Sequence, residues 1–152
     1  MLKRFDVRPE TCYAALTIST LLLGCGAPAA KSSPSPDFPQ LKVVGILAGQ
    51  YLSSNNSRPP QKREDLIKFL DSIPNEWQGL GMKTAEEFLT SPRDGKPLVI
   101  LVGKQFGALS PSGLPWVAYE QTGLGGKLLV INARGGVSEM PAEEVRTLFP
   151  ES

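Results

Sequence analysis

The sequence predicts an α+β fold, in which N-terminal helices are followed by a small three- to four-stranded antiparallel meander and a C-terminal helix. In the first half, apolar residues recur every three or four positions, which is the spacing of a helix with one buried face. In the second half, short apolar runs of strand length are separated by glycine-rich turns. No helical segment lies between successive strands, so the pattern excludes the βαβ units of a nucleotide-binding sheet.

The first helix is predicted over residues 37–54. Asp37 and Gln40 have the spacing of a capping box, with Pro39 in the first turn. Gly45 and Gly49 lie one helical turn apart, and glycines at this spacing let another element approach the helix backbone closely. We therefore expect this helix to be largely buried against the rest of the domain.

A break at residues 55–60, which contain two adjacent prolines, separates this helix from a second one predicted over residues 61–72. Residues 74–81 are predicted to form a loop. Thr84 followed three residues later by Glu87 is a capping pattern, and it predicts a short helix that ends near Leu89.

The apolar run 98–102 lies between turn residues and predicts a central strand. Glycine-rich segments then separate three further apolar stretches, as in hairpins of a meander. The predicted strands are residues 98–102, 116–120, 127–132 and 137–140, and the closing helix is residues 141–149.

Charge and composition exclude several classes of function. The 16 basic and 15 acidic residues give a net charge of +1, and no basic run is present that would neutralise nucleic-acid phosphates. The chain has no histidine, which excludes imidazole-based triads and imidazole metal ligands. A phosphate-loop match around Lys127 fails because Gln121 and Leu128 stand where glycine and serine or threonine are required. We therefore predict no nucleic-acid partner, no metal and no cofactor.

The pattern of residues 3–25 predicts an export signal. Lys3, Arg4 and Arg8 precede an apolar run over residues 12–23, which is too short to span a bilayer but has the length of a signal-peptide core. The run ends in Leu22-Leu23-Gly24-Cys25, which resembles the lipobox of bacterial lipoproteins. That resemblance implies cleavage behind Gly24 and acylation of Cys25, with palmitate among the attached chains.

The predicted organisation is a lipoprotein signal peptide at 1–24, a lipidated cysteine with a flexible Pro/Ala/Ser tether at 25–38, and one domain at 39–152. Two alternatives exist. Ala27-Pro28-Ala29 resembles an ordinary cleavage site that would release a soluble protein, and Cys25 could be a buried thiol paired with Cys12. The second alternative is disfavoured because Cys12 lies inside the discarded segment.

The mature chain after Gly24 is neutral, so electrostatic attraction to lipid is not the predicted anchor and membrane residence depends on the acyl chains. Gly26 follows the cysteine, where an aspartate marks inner-membrane retention in some lipoproteins. The lipoprotein resemblance therefore implies a periplasm-facing protein of the bacterial cell envelope, anchored in the outer membrane.

Residues 41–140 resemble the small pseudopilin-like proteins of bacterial envelopes. The similarity rests on an N-terminal helix, the Arg58-Pro59-Pro60 break, and Ser91-Pro92-Arg93-Asp94-Gly95-Lys96-Pro97 before a small sheet. The chain departs from pilins at Cys25, which follows Gly24 in place of Phe or Met, and at Ala29, where pilins carry an acid. The resemblance implies a pilin-like domain carried on a lipid.

Three side chains are candidates for partner binding. Trp77 lies in the predicted loop and is expected to be exposed, whereas Phe106 begins the long connection 106–115. Tyr119 has opposite strand parity to Trp116, which is expected in the core, so these two share a face only if a bulge intervenes.

The first functional hypothesis is a lipid-anchored, non-catalytic structural or interaction module that contacts other envelope proteins. The second is a secreted or anchored module that binds a peptide or glycan through Trp77, Phe106 and Tyr119. The third, a hydrolase built around Asp94 or Glu120, is the weakest because no spacing places two carboxylates on one surface.

Overall fold

The computed structural model describes residues 38–150 and confirms the α+β prediction, with helices first, an antiparallel sheet next and a helix at the end. A short 3₁₀ helix, Gly103–Gly107, lies in the connection between the first two strands. The α-helices are α1 (Pro39–Ser54), α2 (Arg63–Ser72), α3 (Asn75–Gln78), α4 (Ala85–Phe88) and α5 (Ala142–Leu148). The strands are β1 (Val99–Ile100), β2 (Trp116–Tyr119), β3 (Lys127–Asn132) and β4 (Val137–Pro141).

The four strands form one antiparallel sheet in the order β1-β2-β3-β4. Each strand therefore pairs with the next one along the chain, as the meander prediction requires. β1 is shorter than the predicted run 98–102, and it begins one residue later because Leu98 donates its N–H to the carbonyl of Leu89 outside the sheet (2.8 Å).

Both faces of the sheet are covered, which explains why β3 is almost continuously apolar. Successive β3 side chains point to opposite faces. Leu129 and Ile131 pack with the core formed by α1, α2 and α4, while Leu128 and Val130 pack with the cluster that contains Val145 of α5.

The two glycines of α1 allow it to lie directly on the turn between β3 and β4. A Cβ atom at Gly45 would lie 2.7 Å from the Cα of Gly135, and one at Gly49 would lie 3.2 Å from the carbonyl carbon of Ala133. Gly135 itself has φ +77°, a conformation that favours glycine. The prediction of close packing at Gly45 and Gly49 is confirmed.

The capping box predicted for α1 pairs Gln40 with Asp37. Asp37 lies outside the described residues, and the N-cap residue Phe38 makes no side-chain capping bond. The Gln40 side chain instead donates to the carbonyls of Phe88 (2.8 Å) and Thr90 (2.6 Å), where it holds α1 against the end of α4. Gln40 is buried, and a buried amide without hydrogen-bond partners is costly, so its side chain bonds to these two carbonyls.

The capping prediction for the fourth helix is confirmed. The Thr84 hydroxyl accepts a hydrogen bond from the N–H of Glu87 (3.1 Å), and the Glu87 carboxylate accepts one from the N–H of Lys83 (2.8 Å). The predicted loop 74–81 is wrong in part, because it contains the helical turn α3. In the described part of the chain, no helix is both long and apolar enough to cross a membrane.

Candidate functional site

The structure places Trp77 in the hydrophobic core, so the prediction of an exposed contact at this residue is wrong. Its side chain is 2% exposed, stacks on Phe88 at a ring distance of 5.6 Å, and donates its indole N–H to the carbonyl of Leu70 (3.0 Å). The helical turn α3 places the ring in the core, where the burial of its large apolar surface stabilises the fold. Trp77 therefore offers no surface to a partner in this structure.

Phe106 and Tyr119, by contrast, lie against the same apolar cluster, on the sheet face that α5 partly covers. Trp116 belongs to this cluster as well, although it is three residues from Tyr119. The register between β2 and β3 shifts between Trp116 and Ala118, which leaves Val117 as an additional residue and restores both aromatic rings to one face. The bulge that the strand parity required is thus present.

A groove of about 630 Å³ lies on this face, between the 3₁₀ helix and α5. Val99 and Leu128 contribute the apolar part of its lining, together with Tyr119. Tyr119 is half-buried and stacks on Phe149 with a ring distance of 5.5 Å and an interplanar angle of 11°. We call this the Tyr119 groove.

The polar lining of the Tyr119 groove consists of Gln105, Gln121 and Arg146. Arg146 is 3.3 Å from Glu143 in an ion pair whose two side chains are both mostly exposed. Such a pair holds its partners weakly, so the Arg146 guanidinium remains available to a ligand. Two amides, a guanidinium and an aromatic ring can together bind the hydroxyl, amide or carboxylate groups of a peptide or glycan.

A buried ion-pair network lies at the end of β2, where Glu120 begins the β2–β3 connection. Glu120 is 0% exposed, and its carboxylate accepts hydrogen bonds from the Ser91 hydroxyl (2.7 Å) and the N–H of Leu129 (2.8 Å). The Arg93 guanidinium binds the same carboxylate through Nε, at 3.0 and 3.1 Å, and through Nη2. These bonds satisfy a charge that would otherwise be costly to bury.

Arg93 also contacts two groups beyond Glu120. Its Nη1 donates to Glu139 (2.7 Å), and its Nη2 donates to the carbonyl of Lys127 (2.9 Å). Partial burial opposes the charge of Arg93, but the hydrogen bonds to Glu120 and Glu139 outweigh it and raise the pKa of the guanidinium. The hydrogen bonds from Arg93 and Lys127 in turn lower the pKa of Glu139.

Asp94 holds two turns together. Its carboxylate accepts hydrogen bonds from the N–H of Lys96 (3.0 Å) in its own turn, and from Thr122 (3.2 Å) and Gly123 (2.8 Å) in the β2–β3 connection. Partial burial opposes ionisation, yet these backbone N–H groups outweigh it and lower the pKa of Asp94.

The geometry gives these two acids positioning roles within the domain. A general acid or base must present its carboxyl group to a substrate, whereas Glu120 is fully buried and both Asp94 oxygens accept backbone N–H groups. The hydrolase hypothesis therefore gains no support from either residue. Sequence reasoning missed Arg93, because nothing in a Pro-Arg-Asp-Gly turn indicates a carboxylate partner 27 residues away.

Within residues 38–150, no group of three or more cysteine, aspartate or glutamate side chains is placed to bind a metal ion. Cys25, the predicted site of lipid attachment, lies outside the described residues, as do the predicted signal peptide and most of the tether.

No protein-family model, curated protein or solved structure matches this chain.

Proposed function

We propose that this chain is a lipid-anchored cell-envelope protein whose α+β domain is a non-catalytic structural or interaction module. The anchor is Cys25, on the strength of the Leu22-Leu23-Gly24-Cys25 motif at the end of a signal-length apolar run. The domain faces the periplasm from the outer membrane and contacts other envelope proteins.

One observation carries the non-catalytic part of this proposal. The polar residues of the 91–97 loop bond to groups of the domain itself, with Arg93 on Glu120 and Glu139, and Asp94 on the β2–β3 connection. These contacts rigidify the loop and the sheet end. A rigid scaffold with open surface grooves suits a module that presents surfaces to partners.

The intact mass of the protein extracted from membranes tests the anchor, with a Cys25→Ser variant measured beside it. We expect a chain that starts at Cys25 and carries acyl groups, and the loss of those groups and of membrane retention in the variant. An unmodified N-terminus near Ala30 would contradict the proposal and indicate a released protein.

The Tyr119 groove supports a second candidate function, the binding of a peptide or glycan. Gln105 and Gln121 supply amide donors and acceptors beside an aromatic ring, which is a composition suited to sugars and extended peptides. The test is a titration with N-acetylglucosamine oligomers and, separately, with a short unstructured peptide. Binding is monitored through the NMR chemical shifts of the backbone amides.

Shifts confined to the groove, and lost in Gln121→Ala, would support binding there. Gln78→Ala is the matched control, since Gln78 is an exposed glutamine on α3 and does not line the groove. Shifts that persist in Gln121→Ala but vanish in Gln78→Ala would contradict this candidate.

A further inference from the structure

The charges of the domain are segregated, although the mature chain is neutral. Residues 39–62 contain no aspartate or glutamate, nor do residues 103–119 and 132–138, which are parts of longer acid-free runs. Among the exposed cations of these segments are Arg58, Lys104 and Arg134. None of the three forms an ion pair with another residue among those that the structure describes.

The fold brings these three segments together at the C-terminal end of α1. Arg134 and Pro115 line one groove with Ile46 and with Ser57, the residue before Arg58. Gly103, which precedes Lys104, donates its N–H to the carbonyl of Pro60 (2.9 Å). A carboxylate lies next to the first of these segments, because Asp65 accepts the N–H groups of Gln61 and Lys62.

Two of the large exposed hydrophobic side chains lie at the same end. Leu109 is 62% exposed and forms a bridge with Pro115, and Ile46 is 44% exposed on α1. We call this surface, made of Ile46, Arg58, Lys104, Leu109 and Arg134, the basic end. Cations around exposed aliphatic side chains are the composition of surfaces that bind the interface of an anionic bilayer.

We propose that the basic end docks on the surface of an anionic lipid bilayer, the membrane that holds the acyl chains of Cys25. This inference rests on the proposed lipid anchor. Charge complementarity selects the occupant, because anionic headgroups neutralise cations that are distributed over three separate segments. A single acidic peptide would need those cations to converge on one groove, and only Arg134 lines the groove beside Ile46.

The chain length permits this contact. The stretch from Cys25 to Phe38 spans at most about 45 Å when fully extended. The 16-residue helix α1 is about 24 Å long, so its far end can reach the bilayer to which Cys25 is attached. Lipid anchoring also raises the local concentration of the domain at that surface, which lets weak contacts be occupied.

The test uses the lipidated protein in vesicles of phosphatidylcholine, with or without phosphatidylglycerol. A fluorophore is attached at Ser112→Cys, close to Leu109, or at Thr122→Cys, at the opposite end of β2. The proposed processing removes Cys12 and acylates Cys25, so the introduced cysteine is the one free thiol. Quenching by headgroup-labelled lipid reports which end lies on the bilayer.

We expect quenching at position 112 but not at 122, only with phosphatidylglycerol, and decreasing with salt. A triple variant should lower the equilibrium constant for docking by roughly 100-fold, which is about fivefold for each cation removed. Its substitutions are Arg58→Gln, Lys104→Gln and Arg134→Gln. The matched control removes three exposed cations elsewhere, Lys68, Lys83 and Lys96, and should leave quenching unchanged. Leu109→Asn should weaken docking, whereas Leu124→Asn, at a residue 65% exposed on the β2–β3 turn, should not.

Equal quenching at both positions would overturn the inference, and so would equal quenching in the two kinds of vesicle. A third contrary result is a fluorophore at position 112 that is shielded in native membranes but is not quenched in pure lipid vesicles. That result would indicate an acidic protein partner. The intact mass of each labelled sample shows whether the anchor is present. If it is absent, the proposed function fails separately, and cosedimentation of the unanchored protein with the same vesicles still tests the basic end.

Discussion

Arg93 and Glu120, 27 residues apart in the chain, form a bidentate ion pair in which the carboxylate is completely buried. The same guanidinium also contacts Glu139 and the carbonyl of Lys127, so one side chain joins the 91–97 loop to β3, to β4 and to Glu120, the residue after β2. A planar group with several fixed donors is needed for this arrangement, which a lysine ammonium cannot reproduce.

Arg93→Lys should therefore destabilise the domain although it conserves the charge. We expect a loss of about 2 kcal/mol in the free energy of unfolding, because hydrogen bonds to Glu120 and Glu139 cannot all be kept. Urea denaturation measures this. Arg146→Lys, on the exposed face of α5, is the matched control and should change stability by less than about 0.5 kcal/mol. Equal effects of the two exchanges would contradict a special role for Arg93.

The carboxylate of Asp94 should make stability depend on pH in the acid range. Its pKa is lowered in the folded state, so below about pH 4 the unfolded chain binds more protons. The contribution of Asp94 is therefore fully present at neutral pH and is lost as the pH falls through the folded pKa. Asp94→Asn should flatten the slope of stability against pH below 4, measured by denaturation at several pH values.

Asp71→Asn is the control for that experiment, since it removes an exposed carboxylate on α2 that accepts none of these backbone hydrogen bonds. It should retain most of the slope. The assignment to Asp94 would have to be abandoned if both variants flattened the curve equally.

Gly49→Ala should destabilise the domain even though alanine favours helices. The added methyl group would collide with the backbone of Ala133, which cannot move without disturbing the β3–β4 turn, and we expect a cost of about 1–3 kcal/mol. Gly79→Ala has open space and a helical φ of −58°, so it should be neutral or stabilise by up to about 1 kcal/mol. Thermal unfolding of the two variants compares them, and a neutral Gly49→Ala would show that α1 lies farther from the turn.

Phe149→Ala should loosen α5 and the Tyr119 groove together. The ring is 3% exposed and stacks on Tyr119, and truncation of a buried phenylalanine costs about 3–5 kcal/mol. Hydrogen exchange should become faster in α5 while remaining slow in α1. The neighbouring Leu148→Ala, at a residue 40% exposed, should have little effect, and faster exchange in both variants would argue against docking of α5 by Phe149.

The bulge in β2 illustrates what strand parity alone predicts and where it stops. Alternation placed Trp116 and Tyr119 on opposite faces, and it required a bulge if the two were to share one. Only the pairing of β2 with β3 introduces the additional residue at Val117, because a register shift is a property of two strands and not of one. The bulge places Tyr119 on the face that carries the Tyr119 groove.

Trp77 marks a failure of local reasoning. A tryptophan in a glycine-containing segment after a proline has the pattern of an exposed loop, yet α3 turns it into the core beside Phe88 and Leu70. Burial of a large ring depends on a cavity formed by α2 and α4, and such a cavity is not visible in the residues next to it.

The sequence by itself determined the features that depend on neighbours along the chain. Helical periodicity in α1 and α2, the turn glycines of the meander, and the Thr84 cap all act over a few residues, where local sterics and hydrogen bonding dominate. The tertiary structure alone decided the partners of Gln40, Arg93 and Asp94. It also brought three acid-free segments to one end of the domain. Those contacts join residues that are distant in the chain, so their energies arise only after the elements have packed.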